Sequence, residues 1–197
     1  LFQEVSKEIG LSFVQKEDVF VDFKVQPLLP HKHSLGGPPL AVADVNGDGL
    51  DDVFVGGAAG YKGRLFLQTA QSKFEEKVWT INSLYEDMGS LFFDAEGDGD
   101  LDLYVVSGGS SFPKFAAAYQ DRLYLNDGRA NFQLSTTALP AMLESGSCVA
   151  AADFDRDGDL DLFVGGRLVP GAYPSPATSS LLRNDSENGQ VRFTNVT

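Results

Sequence analysis

A single cysteine, Cys148, leaves the 197-residue chain without an internal disulfide framework or a cysteine-built zinc site. Its neighbours Val149 to Ala152 read as a buried strand, so the thiol is expected to pack rather than react. Only two histidines occur, His31 and His33, flanking Lys32 beside a proline-rich turn. They read as a surface loop rather than as metal ligands, and no Ser/His/Asp set can be built from them. No stretch approaches eighteen uninterrupted apolar residues, so no membrane span is expected. Basic residues are scarce, 15 against 28 acidic ones, and the net charge of −13 disfavours nucleic acid, whose backbone needs Lys and Arg. A chain with 43% hydrophobic and 22% charged residues is not disordered wholesale. No signal peptide is visible and the first residue is Leu1, which reads as a mature form or an excised segment.

Laid over itself, the chain repeats three times. AVADVNGDGLDDVFVGG begins at Ala41, LFFDAEGDGDLDLYVVSGG at Leu91 and AAADFDRDGDLDLFVGG at Ala150. Downstream, RLFLQ (64–68), RLYLN (122–126) and SLLRN (180–184) align, each followed by a polar turn and then Phe74, Phe132 or Phe193. Short runs of Val, Phe, Tyr and Leu bounded by Gly, Asn and Asp favour strands, and no sustained 3.6-residue apolar period argues for helix. Asn126-Asp127-Gly128 and Asn188-Gly189 suit tight hairpins. In the third unit the strands are expected over roughly 148–153, 160–165, 179–184 and 191–196. Four-stranded antiparallel units at such spacing predict an all-β chain of three β-propeller blades. The expected division is a leader over 1–38 and blades over 39–88, 89–146 and 147–197. A two-sheet sandwich is the structural rival, but a sandwich has no need of a repeated sequence.

Fourteen of the 28 acidic residues fall within three nine-residue stretches, 44–52, 94–102 and 153–161. Carboxylates a few ångströms apart disfavour joint ionisation unless a cation sits among them. A hard divalent ion answers this, and calcium takes six to eight oxygens in a mixed shell. Oxygen-bearing residues recur at alternate positions, so that a chain wrapping round a point aims them at it. The expected ligand sets are Asp44, Asn46, Asp48, Leu50 through its carbonyl, and Asp52; Asp94, Glu96, Asp98, Asp100 through its carbonyl, and Asp102; and Asp153, Asp155, Asp157, Asp159 through its carbonyl, and Asp161. Gly49, Gly99 and Gly158 hold the sixth position, where the turn is sharpest. An EF-hand shares this opening but needs a bidentate Glu at position 12. Val55, Val105 and Val164 stand there instead, so that reading fails three times. Up to three calcium ions are therefore expected, and magnesium suits an all-protein cage less well.

These turns resemble the FG-GAP, or VCBS, repeats of integrin-α-type propellers, and the resemblance covers residues 40–197 as three blades. It implies that each metal turn joins the first and second strands of a blade. Glu96 departs from the Asp or Asn usual at the third position. The leader, with FQEVSKEIGL and QPLLPHKHS, is similar to stretches preceding such repeats in secreted bacterial, cartilage-acidic-protein-like chains. The resemblance thus implies an extracellular or cell-surface location.

Residues 1–6 resemble 192–197, and both read as a blade's outermost strand. The expectation is therefore a longer propeller, or two chains that associate to complete a ring. Asn184-Asp185-Ser186 and Asn195-Val196-Thr197 match the glycosylation acceptor pattern. In an up-and-down blade the metal turns and the partner-binding loops lie at opposite ends of the strands. The variable loops carry Phe112, Phe115, Tyr119, Arg167 and Tyr173, with Trp79 and Tyr85 between blades and the leader's Pro30 to His33 entering at the same end. Exposed aromatics with Arg favour protein or glycan ligands, although Phe112 and Phe115 can equally tuck beneath their loop. Two functions remain: a calcium-stiffened recognition or adhesion module without catalysis, and the propeller portion of a secreted hydrolase or lyase acting on polysaccharide.

Overall fold

In the computed structural model, which describes residues 2–17, 19–79 and 82–197, the chain forms twelve strands in three separate four-stranded antiparallel sheets. The first sheet runs β1 (Leu40–Ala43), β2 (Asp52–Val55), β3 (Arg64–Gln68) and β4 (Phe74–Lys77) in sequence order. The second contains β5 (Asp87–Phe93), β6 (Asp102–Ser107), β7 (Arg122–Leu125) and β8 (Gln133–Ser135). The third contains β9 (Ser145–Ala152), β10 (Asp161–Leu168), β11 (Ser180–Asn184) and β12 (Phe193–Asn195). Every connection is to the neighbouring strand, which is the meander of a propeller blade. Tight turns are made where the residues permit them: Asn188 and Gly189 both take positive φ, 54° and 75°, between β11 and β12.

The repeat explains the packing. Ala41, Phe54 and Leu65 of the first blade face Leu103, Val105 and Tyr124 of the second in one core cluster. Phe93, Tyr104 and Leu123, on the opposite face of the second blade, meet Leu162, Val164 and Leu182 of the third in another. Trp79 joins the first cluster, its ring 4.8 Å from that of Tyr124 and 5.2 Å from that of Phe132. Strand β6 is buried at all its positions because both of its faces are covered, which is why its middle, Leu103 to Val106, is an unbroken apolar run. Each large side chain so buried contributes roughly 1.5–3 kcal/mol. The inner strands β1, β5 and β9 lie side by side.

The row is open at its third blade. Phe163 aligns with Phe54 and Tyr104, which are fully buried, yet it is 48% exposed. Cys148 shares that face through its register with Gly165, and it too is exposed. The expected buried thiol is therefore corrected: the strand is there, but among the described residues no blade covers this side of it.

The leader departs from expectation. Residues 2–5 form no strand and residues 6–10 form a turn, so the outer strand expected over 1–6 is not made among the described residues; Leu1 lies outside them. Instead the Ile9 carbonyl accepts a hydrogen bond from Phe74 N–H, and Phe13 lies beneath the Arg64 guanidinium, 5.7 Å from its ring centroid. After the short helix α1 (Asp22–Val25) the leader crosses the end of the blades remote from the acidic turns. Asp22 is buried, accepting from Ser110 Oγ and from Ser34, and Tyr173 N–H donates to Gln26 Oε1. His33 is buried rather than on a surface loop, its Nδ1 accepting from Arg167 Nε at 3.2 Å.

Candidate metal centre

Each acidic stretch forms the turn between a blade's first and second strands, and its carboxylates divide into two kinds. The first aspartate caps the turn. Asp44 accepts from Gly47 and Gly49 N–H, Asp94 from Gly97 and Gly99, and Asp153 from Arg156 and Gly158, over 2.6–3.3 Å. Burial pulls the Asp44 carboxyl up, but these N–H donors outweigh it and hold the group below its ordinary value. Gly49, Gly99 and Gly158 take φ of 84°, 95° and 102°, where a side chain is strained, so the sixth position demands glycine. The fourth position is left-handed too, and there Arg156 adopts φ 67° in place of Gly47 and Gly97.

The ninth-position aspartate is a brace. Asp52, Asp102 and Asp161 are essentially fully buried. One oxygen of each accepts the N–H of the turn's second residue (Val45, Ala95 or Phe154). The other accepts the N–H that closes the third strand (Gln68, Asn126 or Asn184). The turn and two strands are thereby fastened at one carboxylate. Burial pushes the Asp52 and Asp102 carboxyls up, with the backbone donors opposing.

The remaining acids crowd one another. Carboxylate oxygens of Asp153, Asp155 and Asp161 lie within 4.8 Å of one another. Burial, contact with the Asp102 carboxyl, and the charges of Asp102, Asp98 and Asp100 push Glu96 up to about 8. Asp100 and Asp159 are each raised to about 6, first by burial and then by Asp98 and Asp157 respectively. Glu96 Oε2, Asp100 Oδ1 and Asp159 Oδ1 are buried oxygens with no hydrogen-bond partner. The seventh residue was expected to act only through its carbonyl; in the second and third turns its side chain also joins the cluster. The first turn is less crowded, for Asn46 stands at its third position, where Oδ1 accepts from Asp48 N–H at 3.0 Å. Asp48 Oδ1 in turn accepts from the N–H of Leu50 at 2.9 Å.

Two residues outside the expected sets bind the turns to neighbouring blades. Asn126 Nδ2 donates to Val45 O of the first turn at 2.8 Å, and Asn184 Nδ2 donates to Ala95 O of the second at 2.9 Å. The signal was the Asn ending RLYLN and SLLRN, where the first copy has Gln68. This also corrects the glycosylation reading at Asn184, whose amide is buried and committed.

At the opposite end the expected partner-facing residues divide. Tyr119 is fully buried, its hydroxyl donating to Phe112 O and accepting from Phe112 N–H, and the two rings meet edge to face at 6.1 Å. Burial pushes the Tyr119 phenol up to about 12. Tyr119 is thus corrected to a small satellite core with Phe112. Phe115 and Tyr173 are exposed, at 54% and 43%. Arg167 is held by His33. Tyr85 lies under the buried guanidinium of Arg122, which is paired with Asp87.

Meander blades with an acidic turn after each first strand define a repeat protein of the propeller-blade type. The FG-GAP-like repeat matches residues 44–105 and 112–164, together more than half of the chain, and the chain belongs to that family. No curated protein matches the sequence significantly. Among the described residues no helix is long and apolar enough to cross a membrane.

Proposed function

We propose that the chain is a calcium-stiffened recognition module, with the metal in the three acidic turns and a protein or glycan partner at the other end of the blades. The buried carboxylate oxygens left without partners in the second and third turns carry the calcium reading. An all-oxygen set of carboxylates and carbonyls is the chemistry of a hard cation, and calcium accepts such irregular shells. Asp94, Glu96, Asp98, Asp100 and Asp102 would hold one ion, Asp153 to Asp161 a second, and Asp44 to Asp52 a third. The ion supplies positive charge that lets these acids ionise together; the protein's brace aspartates do the rest by fixing the turn. Calcium is abundant outside cells, where extracellular modules bind it at about 10⁻⁴ to 10⁻³ M, and the proposed location is extracellular.

The module acts by binding rather than by catalysis, and its open third blade associates with a further blade or a second copy. The deciding experiment is a thermal melt in chelator and in millimolar calcium. A tenfold excess over Kd adds about 1.4 kcal/mol per site, raising Tm by several degrees. A melt indifferent to calcium after complete chelation refutes the reading, and turnover of pectic or algal polysaccharide by the chain refutes its non-catalytic part.

A further inference from the structure

The three blades serve as controls for one another, and three of the second blade's departures from the other two fall together in space. Where the first blade has Phe54, Gly57 and Gly63 and the third has Phe163, Gly166 and Ser179, the second has Tyr104, Ser107 and Asp121. These three form one network: Tyr104 Oη donates to Asp121 Oδ2 at 2.8 Å and Ser107 N–H donates to Asp121 Oδ1 at 2.7 Å. The fold does need an acceptor for that N–H. In the third blade the neutral Ser179 hydroxyl serves, accepting from Gly166 N–H at 3.1 Å, and in the first Gly57 N–H donates to Asp87. What the fold does not need at this position is a carboxylate that is only 4% exposed. The Arg122 guanidinium makes its ion pair with Asp87, through Nη2, and not with Asp121.

Asp121 lines a cavity of about 310 Å³ between the second and third blades, at the end opposite the acidic turns. Met142 and Val164 give it apolar walls, and its ionisable lining residues are Asp121 and Glu144, with no Lys or Arg among them. Phe115 stands at its edge, half-exposed and held at φ 62°. A bulky residue in the left-handed region is strained, and such strain gathers at ligand-binding places. The volume is at the low end of small-ligand pockets, roughly 300–1,000 Å³. Each Asp121 oxygen has one donor and keeps a lone pair for another.

We propose that this cavity is a binding site for an alkylammonium or guanidinium group carried on an apolar arm, which is the chemistry of a Lys or Arg side chain or of a free amine. The cationic head meets Asp121, with Glu144 beside it, and the arm lies against Met142 and Val164. Burial pushes the Asp121 carboxyl up to about 7 against its two donors and the charge of Arg122, and a bound cation favours the ionised form. The inference rests on placing the partner at this end of the blades, and it is independent of calcium.

Met88 and Met142 are the chain's two methionines, so ¹³C-methyl labelling gives one reporter in the cavity and one outside it. At pH 8, n-butylammonium should shift the Met142 methyl resonance saturably, at least about tenfold more tightly than 1-butanol or butyrate, while Met88 stays still. Asp121→Asn should reduce butylammonium to the level of butanol, and the comparison of charged and neutral probes on the unaltered chain needs no variant to fold. Gly-Lys-Gly binding more tightly than butylammonium assigns the site to a partner's side chain, and the reverse order assigns it to a free amine. Equal response to butanol and butylammonium, silence of Met142 to every amine, or a preference that survives in Asp121→Asn overturns the proposal. A response to amines in a chain whose melting ignores calcium would refute the metal reading alone.

Discussion

Replacing Asn184 by Ala removes a fastening between the third blade and the acidic turn of the second. The Asn184 amide donates to Ala95 O at 2.9 Å and to Leu160 O at 3.3 Å, while its own oxygen accepts from Ser186 N–H. Alanine leaves Ala95 O, in a residue 1% exposed, without that donor. A buried group left unsatisfied costs about 1–3 kcal/mol, and the longer bond to Leu160 adds about 0.5–1.5 kcal/mol. The expected loss is about 2–4 kcal/mol, a large share of a domain stability of about 5–15 kcal/mol. Asn126→Ala should cost the same, since its amide reaches Val45 O at 2.8 Å and Leu101 O at 3.0 Å.

Gln68 is the internal control. It ends the equivalent strand, and its backbone N–H donates to Asp52 as those of Asn126 and Asn184 donate to their braces. Its side chain, however, makes no hydrogen bond among the described residues, and Gln68→Ala should stay within about 0.5 kcal/mol. Urea unfolding followed by Trp79 fluorescence reads the difference. With an m-value of about 3 kcal/mol/M, the two Asn variants should lower the midpoint by about 1 M and leave the slope unchanged. Three variants equally harmless would show that the cross-blade amides are incidental, and three equally damaging would show that the loss does not come from the cross-blade bonds that Gln68 lacks.

Glu96→Gln should act in opposite directions with and without metal. Glu96 is raised to about 8, so its proton-linked stability is full below the ordinary carboxylate range and falls as pH rises through 8. In chelator the variant should melt higher than the parent at pH 8 and alike near pH 4.5, while gaining less from calcium; no difference at either pH would sever Glu96 from the cluster. The same sign holds for Asp121, raised from 3.8 to about 7: its contribution is complete below pH 3.8 and is lost as pH rises through 7, a span worth up to about 4 kcal/mol. Asp121→Asn should therefore flatten the stability profile between pH 4 and 8, and an unchanged slope would place the titration elsewhere. Phe163→Glu should abolish concentration-dependent association in sedimentation velocity, because Phe163 lies 48% exposed where Phe54 and Tyr104 are covered; a parent chain monomeric at every concentration would contradict an interface there.

The acidic turns were legible because their chemistry is carried by residue type: oxygens at alternate positions, with glycine where φ is positive. Their division of labour was not legible, since Asp44 and Asp52 are the same letter. Only backbone donors separate them, four within the turn for Asp44 against Val45 and Gln68 for the buried Asp52. Local pattern misled at Cys148 and Asn184 for opposite reasons. One stands in an apolar strand with a face uncovered among the described residues, and the other ends a strand, just before a polar turn, where a neighbouring blade seals it. Burial in a stack of sheets depends on what comes next in the row, which no window of sequence contains.

What the copies share and where they differ carry different information. Phe54, Tyr104 and Phe163 align as an apolar position, and aligned for similarity they say only that a blade needs an aromatic there. The hydroxyl on Tyr104 acquires meaning when Asp121 replaces Gly63 and Ser179 in the same copy, because a buried phenol and a buried carboxylate each need the other. Two departures that satisfy one another within a single blade are not drift away from the repeat. The blade scaffold carries their desolvation cost, and the cavity beside them is where that cost can be recovered by a cation.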